Sequence, residues 1–293
     1  MRVVITGGGG QLARELARSA PHNIEVHSLE RATCDITDVA SIDAAFAEYE
    51  PDIVINAAAY TAVDRAESES ELAFPVNETG AGNVARACAD ANARLIHVST
   101  DYVFDGRRST PYPVDAEPSP LGVYGRSKLA GERAVRNSTA AFTILRCGWL
   151  YSAAPGNFLT TMLGKMRQGD ALRVVDDEVG VPTAAGDVAS VIWWCAATWV
   201  AQPLLHWTPT GKASRYEFAL AIQELGLELG LLTTPSSLVA VKSSEYPTAA
   251  ERPRYSVLDA SDTWRLMGAE PPDWRSPLRI EMTAMQSAND AEP

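Results

Sequence analysis

Arg2-Val3-Val4-Ile5-Thr6-Gly7-Gly8-Gly9-Gly10-Gln11-Leu12-Ala13 begins one residue into the chain. The β-branched run reads as a strand, the glycines as a turn, and residues 10–19 as a helix. Glycine permits a tight turn and lets backbone N–H groups approach a pyrophosphate at a helix N-terminus. Gly7 and Gly10 fit a G-x-x-G-x-x-G/A spacing, with Ala13 as the small residue against the sheet. Glycine-rich turns also form for purely structural reasons, so the motif alone has little specificity. Its place between a first strand and a first helix makes dinucleotide binding the better reading.

The second strand ends at Glu30-Arg31, and Asp35 follows. An acid there favours the free ribose of NADH, whereas Arg31 can accommodate the 2′-phosphate of NADPH. Both residue types are present, so both cofactors stay open, and Arg31 as a solvated surface charge is an equal alternative.

Outward from this turn, strand-like runs at 24–29, 52–56, 95–99 and 142–146 alternate with helical stretches at 39–49, 81–91 and 123–137. Asp38 is a good N-cap for the first of these. Near-continuous apolar strands alternating with helices predict an α/β fold, a Rossmann-type doubly wound parallel sheet. After Leu150 the rhythm changes: 157–168 and 187–200 look helical, 204–208 returns as a strand, and one clear helix covers 214–229. Residues 1–150 with about 186–208 are expected to form the dinucleotide-binding domain. Residues 151–185 and 209–283 would form a smaller α/β substrate lobe, and 284–293 a disordered tail.

Composition narrows the function. With 25 Lys and Arg against 37 Asp and Glu, the net charge is −12. Such a field repels phosphate, which argues against nucleic acid and anionic membranes as partners. A phosphorylated small substrate then needs a local basic pocket. Cys34, Cys88, Cys147 and Cys195 form no Cys-x-x-Cys pair, pointing to a reducing compartment and away from disulfides and zinc. The most apolar run, 191–200, is half a bilayer span and reads as a buried helix. No secretory leader opens the sequence. A cytoplasmic location is expected.

Tyr124-Gly125-Arg126-Ser127-Lys128 lies on a predicted helix, where positions i and i+4 share a face. A free phenol has a pKa of about 10. Proton exchange near neutrality asks for a shift of about three units, or about 4 kcal/mol, and a neighbouring ammonium favours the phenolate. Lys128 can also hold ribose hydroxyls. Tyr-x-x-x-Lys alone is common by chance. Support comes from Ser99-Thr100-Asp101-Tyr102-Val103-Phe104 at the carboxyl end of strand four, where ligands bind in doubly wound sheets. The Thr100 hydroxyl can hydrogen-bond a substrate carbonyl beside Tyr124 and help polarise it.

With these motifs in place, the sequence resembles the extended short-chain dehydrogenase/reductases, and within them the dTDP-4-dehydrorhamnose reductase family. The matching segments include the Gly-Gln-Leu turn, Asp35 to Asp38, Asn56 to Asp64, Ser99 to Gly106, Tyr124 to Glu132, Trp149-Leu150-Tyr151, Gly180 to Thr183, and Tyr246-Pro247-Thr248 with Arg252-Pro253. They run from Arg2 to about Trp274. The resemblance implies NADH- or NADPH-dependent reduction of the C4 ketone of a dTDP-4-keto-6-deoxysugar, yielding dTDP-L-rhamnose. It implies Tyr124 as general acid, Lys128 as its partner and ribose ligand, and Thr100 at the carbonyl. Gly7, Gly10, Gln11, Leu12, Arg31, Asp35, Ile36, Ala57, Ala58, Ala59, Tyr60 and Thr61 would line the dinucleotide. Asp101, Val103, Phe104, Trp149, Asn157 and Arg254 would line the dTDP-sugar. Lys242, Arg252 and Arg254 fall in the second lobe as cations for its diphosphate.

Two departures from the family pattern stand out. Cys147-Gly148 precedes Trp149, where Thr or Ile followed by Ser or Ala is more usual. Glu15 matches a magnesium ligand of some relatives, but Ala184-Ala185-Gly186-Asp187 lacks the second glutamate, so no metal is expected. A 4,6-dehydratase would carry an acid where Tyr102 stands. Reduction of a related 4-keto-6-deoxysugar, or a non-catalytic regulatory subunit, are the alternatives; retention of Thr100, Tyr124 and Lys128 argues against the latter. The sequence leaves monomer and homodimer open.

Overall fold

The computed structural model describes residues 1–169, 171–198 and 202–291, with side chains to residue 287. The opening strand β1 (Arg2–Thr6) lies inside a six-stranded sheet with β2 (Glu25–Leu29), β3 (Ile53–Asn56), β4 (Arg94–Thr100), β5 (Phe142–Cys147) and β6 (Leu204–His206). The order is β2-β1-β3-β4-β5-β6 and every neighbouring pair is parallel. The strand order reverses between β1 and β3, and in such sheets a crevice opens there beyond the carboxyl ends.

Val3, Val4 and Ile5 are fully buried, as a parallel sheet covered on both faces requires. Helices α1 (Gln11–Arg18) and α6 (Ala185–Ala197) pack on one face through Leu12, Leu16, Val188 and Ile192. Helices α2 (Val39–Tyr49) and α3 (Ala81–Asp90) cover the other through Ile42, Phe46, Val84 and Cys88, with Val135 of α4 (Val123–Arg136). Asp38 caps α2, accepting from the Ala40 amide. Helix α6 begins two residues earlier than its pattern suggested and ends before the extended Thr198; the rest of the expected 187–200 segment lies outside the described residues. The strand expected at 204–208 stops at His206.

A second core gathers α5 (Phe158–Arg167), α7 (Arg215–Glu228), the parallel pair Leu172–Val175 with Leu238–Val241, and the last helix, α8 (Arg275–Ala291). The disordered tail expected from residue 284 is corrected as far as Ala291, to which α8 continues; residues 292 and 293 lie outside the described residues. Leu278 and Met282 are fully buried and Met285 packs beside them, an i, i+4, i+7 stripe that anchors the helix. Ala, Met and Gln in this stretch are also strong helix formers. Glu281 on α8 accepts a hydrogen bond from the Ala153 amide at 2.8 Å, tying the helix to the loop after β5.

Candidate active site

A cavity of about 880 Å³ opens at the carboxyl ends of β1, β3, β4 and β5. At its dinucleotide end, Gly7 has φ +77°, and a Cβ there would lie 2.7 Å from Ala58 Cα. Glycine alone lets the turn and the strand-three loop approach this closely. The Gly10 amide donates to the Gly7 carbonyl at 2.9 Å. Gly10 stands at the N-cap of α1, where no side chain caps the helix. The uncapped amide donors and the positive helix end suit a pyrophosphate. Gln11, Leu12, Arg31, Asp35, Ile36, Ala57, Ala58, Ala59, Tyr60 and Thr61 line the same arm.

Arg31 donates to Asp35 at 3.0 Å. The Thr37 hydroxyl, its amide and Arg31 together hold the Asp35 carboxyl below its ordinary range. A dinucleotide ribose bound at this end would meet an acid and a cation that are already paired. The loop bearing Tyr60 is fixed by Asn77: its Oδ1 accepts from the Tyr60 amide at 2.8 Å, and its Nδ2 donates to the Tyr60 carbonyl at 3.0 Å and to Ser127 Oγ at 2.9 Å. Asn77 belongs to a π-helical segment, Pro75–Gly80, which the sequence pattern did not signal.

At the other end stand Thr100, Asp101, Tyr102, Tyr124, Lys128, Cys147, Gly148, Trp149 and Arg215. Helix α4 approaches the Asp101–Val103 turn after β4 closely because Gly125 has no side chain; a Cβ there would lie 2.2 Å from the Tyr102 carbonyl oxygen. Tyr124 is thereby set on the Thr100 side of the cavity, and the Thr100 hydroxyl works against the effect of burial on the phenol. Thr100 Oγ1 also donates to Asp101 Oδ1 at 3.0 Å and accepts from the Tyr102 amide. Lys128, one turn on, is buried and donates to the Val98 carbonyl at 2.7 Å.

The electrostatics differ from the sequence expectation. Burial raises the Tyr124 phenol above its ordinary value rather than lowering it. Burial also pulls the Lys128 ammonium down to about 8, with Glu132 working in the opposite direction. Asp101 is pushed up to about 6 by burial, partly offset by Ser256 and Thr100. A phenol that keeps its proton is the form a reduction needs, because the developing alkoxide must receive one.

Not every candidate reaches the cavity. Val103 and Phe104 sit in a small core, with Phe104 stacked on Tyr112 at 4.2 Å, because they follow the turn of the Asp101–Val103 3-10 helix inward. Asn157 caps α5, and its amide donates to the carbonyls of Ser152 (2.9 Å) and Ala154 (2.7 Å). Its polar atoms are thus engaged within the loop, with a longer contact to Gln11. Arg252 pairs with Asp64 at 2.7 Å, and Arg254 and Lys242 are exposed; none of the three lines the cavity.

The family model described as RmlD substrate binding domain matches residues 1–287. The chain belongs to that family. The dTDP-4-dehydrorhamnose reductase of Aggregatibacter actinomycetemcomitans is 38% identical over 285 residues, covering 95% of this chain and 97% of that protein. The enzyme of the same name from Mycobacterium tuberculosis is 40% identical over 291 residues, covering 97% and 93%. The crystal structure of dTDP-4-dehydrorhamnose reductase from Bacillus anthracis in complex with NADP aligns at a TM-score of 0.90 and 33% identity, over 97% of this chain and 99% of that one.

In this RmlD-family chain, two features went unread in the sequence. One is Arg215, at the first position of α7, whose guanidinium lies 3.5 Å from the Trp149 ring centroid inside the cavity. The Ser214-x-x-Glu217 capping box signals a helix start there but not what that start faces. The other is a buried network behind the site. Ser99 donates to Glu132 at 2.6 Å, and Arg146 grips the same carboxylate through Nε (2.7 Å) and Nη2 (2.6 Å). Cys147-Gly148 also acquires a reason: a Cβ at Gly148 would meet Asp101 Cγ at 2.4 Å, so glycine leaves room for that carboxyl.

Proposed function

We propose that this chain reduces the C4 ketone of dTDP-4-dehydro-L-rhamnose to dTDP-L-rhamnose, using NADPH or NADH, in the cytoplasm. The observation that carries the reading is the convergence of Thr100, Tyr124 and Lys128 at the carboxyl edge of the sheet, beside a glycine turn suited to a pyrophosphate. The names of full-length relatives point the same way. Among the described residues no helix is long and apolar enough to cross a membrane.

The dinucleotide would be held by the turn from Gly7 to Leu12, by Arg31, Asp35 and Ile36, and by the loop from Ala57 to Thr61. The chemistry supplied by a bound reduced nicotinamide is hydride for the carbonyl carbon. The chain's own residues manage the proton. Thr100 and Tyr124 hydrogen-bond the carbonyl oxygen and draw charge onto it. As that oxygen becomes an alkoxide, Tyr124 donates its phenolic proton, and the buried ammonium of Lys128 stabilises the phenolate left behind. Asp101 and Trp149 shape the sugar end. The substrate lobe, residues 151–185 and 209–283, would supply the remaining walls.

The test is cofactor oxidation followed by absorbance with and without the dTDP-4-keto sugar, with the product identified by NMR. Substrate-dependent oxidation giving dTDP-L-rhamnose is expected. Tyr124→Phe should lower kcat by about 10²- to 10⁴-fold, the usual contribution of a positioned acid, while cofactor affinity is kept. Wild-type turnover in the variant would remove Tyr124 from the reaction.

A further inference from the structure

Resting on this reading of the substrate, we infer that Arg215 is the residue that grips the diphosphate of the nucleotide-sugar. The demand is electrostatic. A diphosphate carries about two negative charges into a chain of net charge −12, so the cavity itself must provide a cation. Among the described residues, three cationic side chains line it: Arg31, Lys128 and Arg215. Arg31 stands at the dinucleotide end, paired with Asp35 at 3.0 Å. Lys128 lies behind Tyr124, bound to the Val98 carbonyl. Arg215 remains, on the side where Asp101 and Trp149 line the cavity.

Its setting suits the task. Among the described residues, the Arg215 guanidinium makes no ion pair and no side-chain hydrogen bond. Asp101 and Glu178 feel its charge without coming within ion-pair distance. The guanidinium rests on the indole of Trp149 at 3.5 Å, with Phe158 at 5.3 Å. Stacking fixes its plane and leaves the N–H fork at its edge unengaged, the geometry that binds phosphate oxygens in a bidentate manner. The stack is itself anchored. Gly180 approaches the indole so closely that a Cβ would lie 2.4 Å from the ring, and the Ser214–Glu217 capping box fixes the start of α7. The second-lobe cations that the sequence offered for this role, Lys242, Arg252 and Arg254, do not line the cavity.

The experiment compares wild type, Arg215→Gln and Arg215→Lys in the full chain. It measures kcat and KM for the dTDP-4-keto sugar, KM for the reduced cofactor, and dissociation constants for dTDP and thymidine by titration calorimetry. Losing a charged hydrogen-bonding partner should raise the sugar KM of Arg215→Gln by about 10- to 100-fold, with little change in cofactor KM. The same variant should weaken dTDP but leave thymidine nearly unaffected, while Arg215→Lys falls between it and wild type. Equal weakening of dTDP and thymidine would reduce Arg215 to a prop for Trp149 and overturn the assignment. So would an unchanged sugar KM. A wild-type protein inert toward the sugar would instead overturn the proposed substrate, and the dTDP-to-thymidine comparison would still judge Arg215.

Discussion

Burial draws the Lys128 ammonium down to about 8, and Glu132 partly resists that shift. The group is therefore charged below about pH 8 and loses its charge as pH rises beyond it. In the proposed mechanism the ammonium stabilises the phenolate that Tyr124 becomes, so kcat/KM should be level below about pH 8 and fall about tenfold per unit above it. Lys128→Met should abolish that limb and lower activity throughout; a wild-type profile flat to about pH 10 would show that the charge is not needed. Tyr124, Lys128 and Thr100 were legible because i, i+4 spacing and the end of a strand are properties of local periodicity. Asn157 and Arg215 were not. Each begins a helix, and whether that start faces a cavity or a loop is decided by tertiary packing.

Helix α4 serves as one unit, presenting Tyr124 and Lys128 to the cavity and Glu132 to Arg146 behind it. The Glu132–Arg146 pair is almost wholly buried, with side chains 1% and 2% exposed. Removing one partner of such a pair strands the other charge. Arg146→Met should therefore cost about 3–5 kcal/mol in urea unfolding, and the double variant Glu132→Leu/Arg146→Met should recover much of it. A loss no greater than that of an exposed charge would mean water reaches the pair. Most sheet strands and α2 were readable nearly to their ends, because strands buried on both faces are continuous apolar runs. The π-helical turn at Pro75–Gly80 was not. It is held by Asn77, and a Cβ on Gly131 of α4 would lie only 2.0 Å from the Asn77 carbonyl, a contact with no local trace in the chain.

The whole molecule joins its two cores by threading α6 and β6 back to the sheet and closing with α8 on the second core. Met282→Ala, in a position fully buried among Leu278 and Trp274, should cost about 2–5 kcal/mol, and a Tm unchanged from wild type would detach α8 from the core. Composition misled at this scale: a small, polar terminus reads as a tail, and its apolar stripe of Leu278, Met282 and Met285 shows only when the helical period is extended past 284. The hydrogen bond from Ala153 to Glu281 carries a practical corollary. The loop it holds continues into Pro155 and Gly156, which line the cavity mouth. An affinity tag fused beyond α8 would load the very helix that braces that mouth. Kinetic comparisons are therefore safer with such a tag cleaved away.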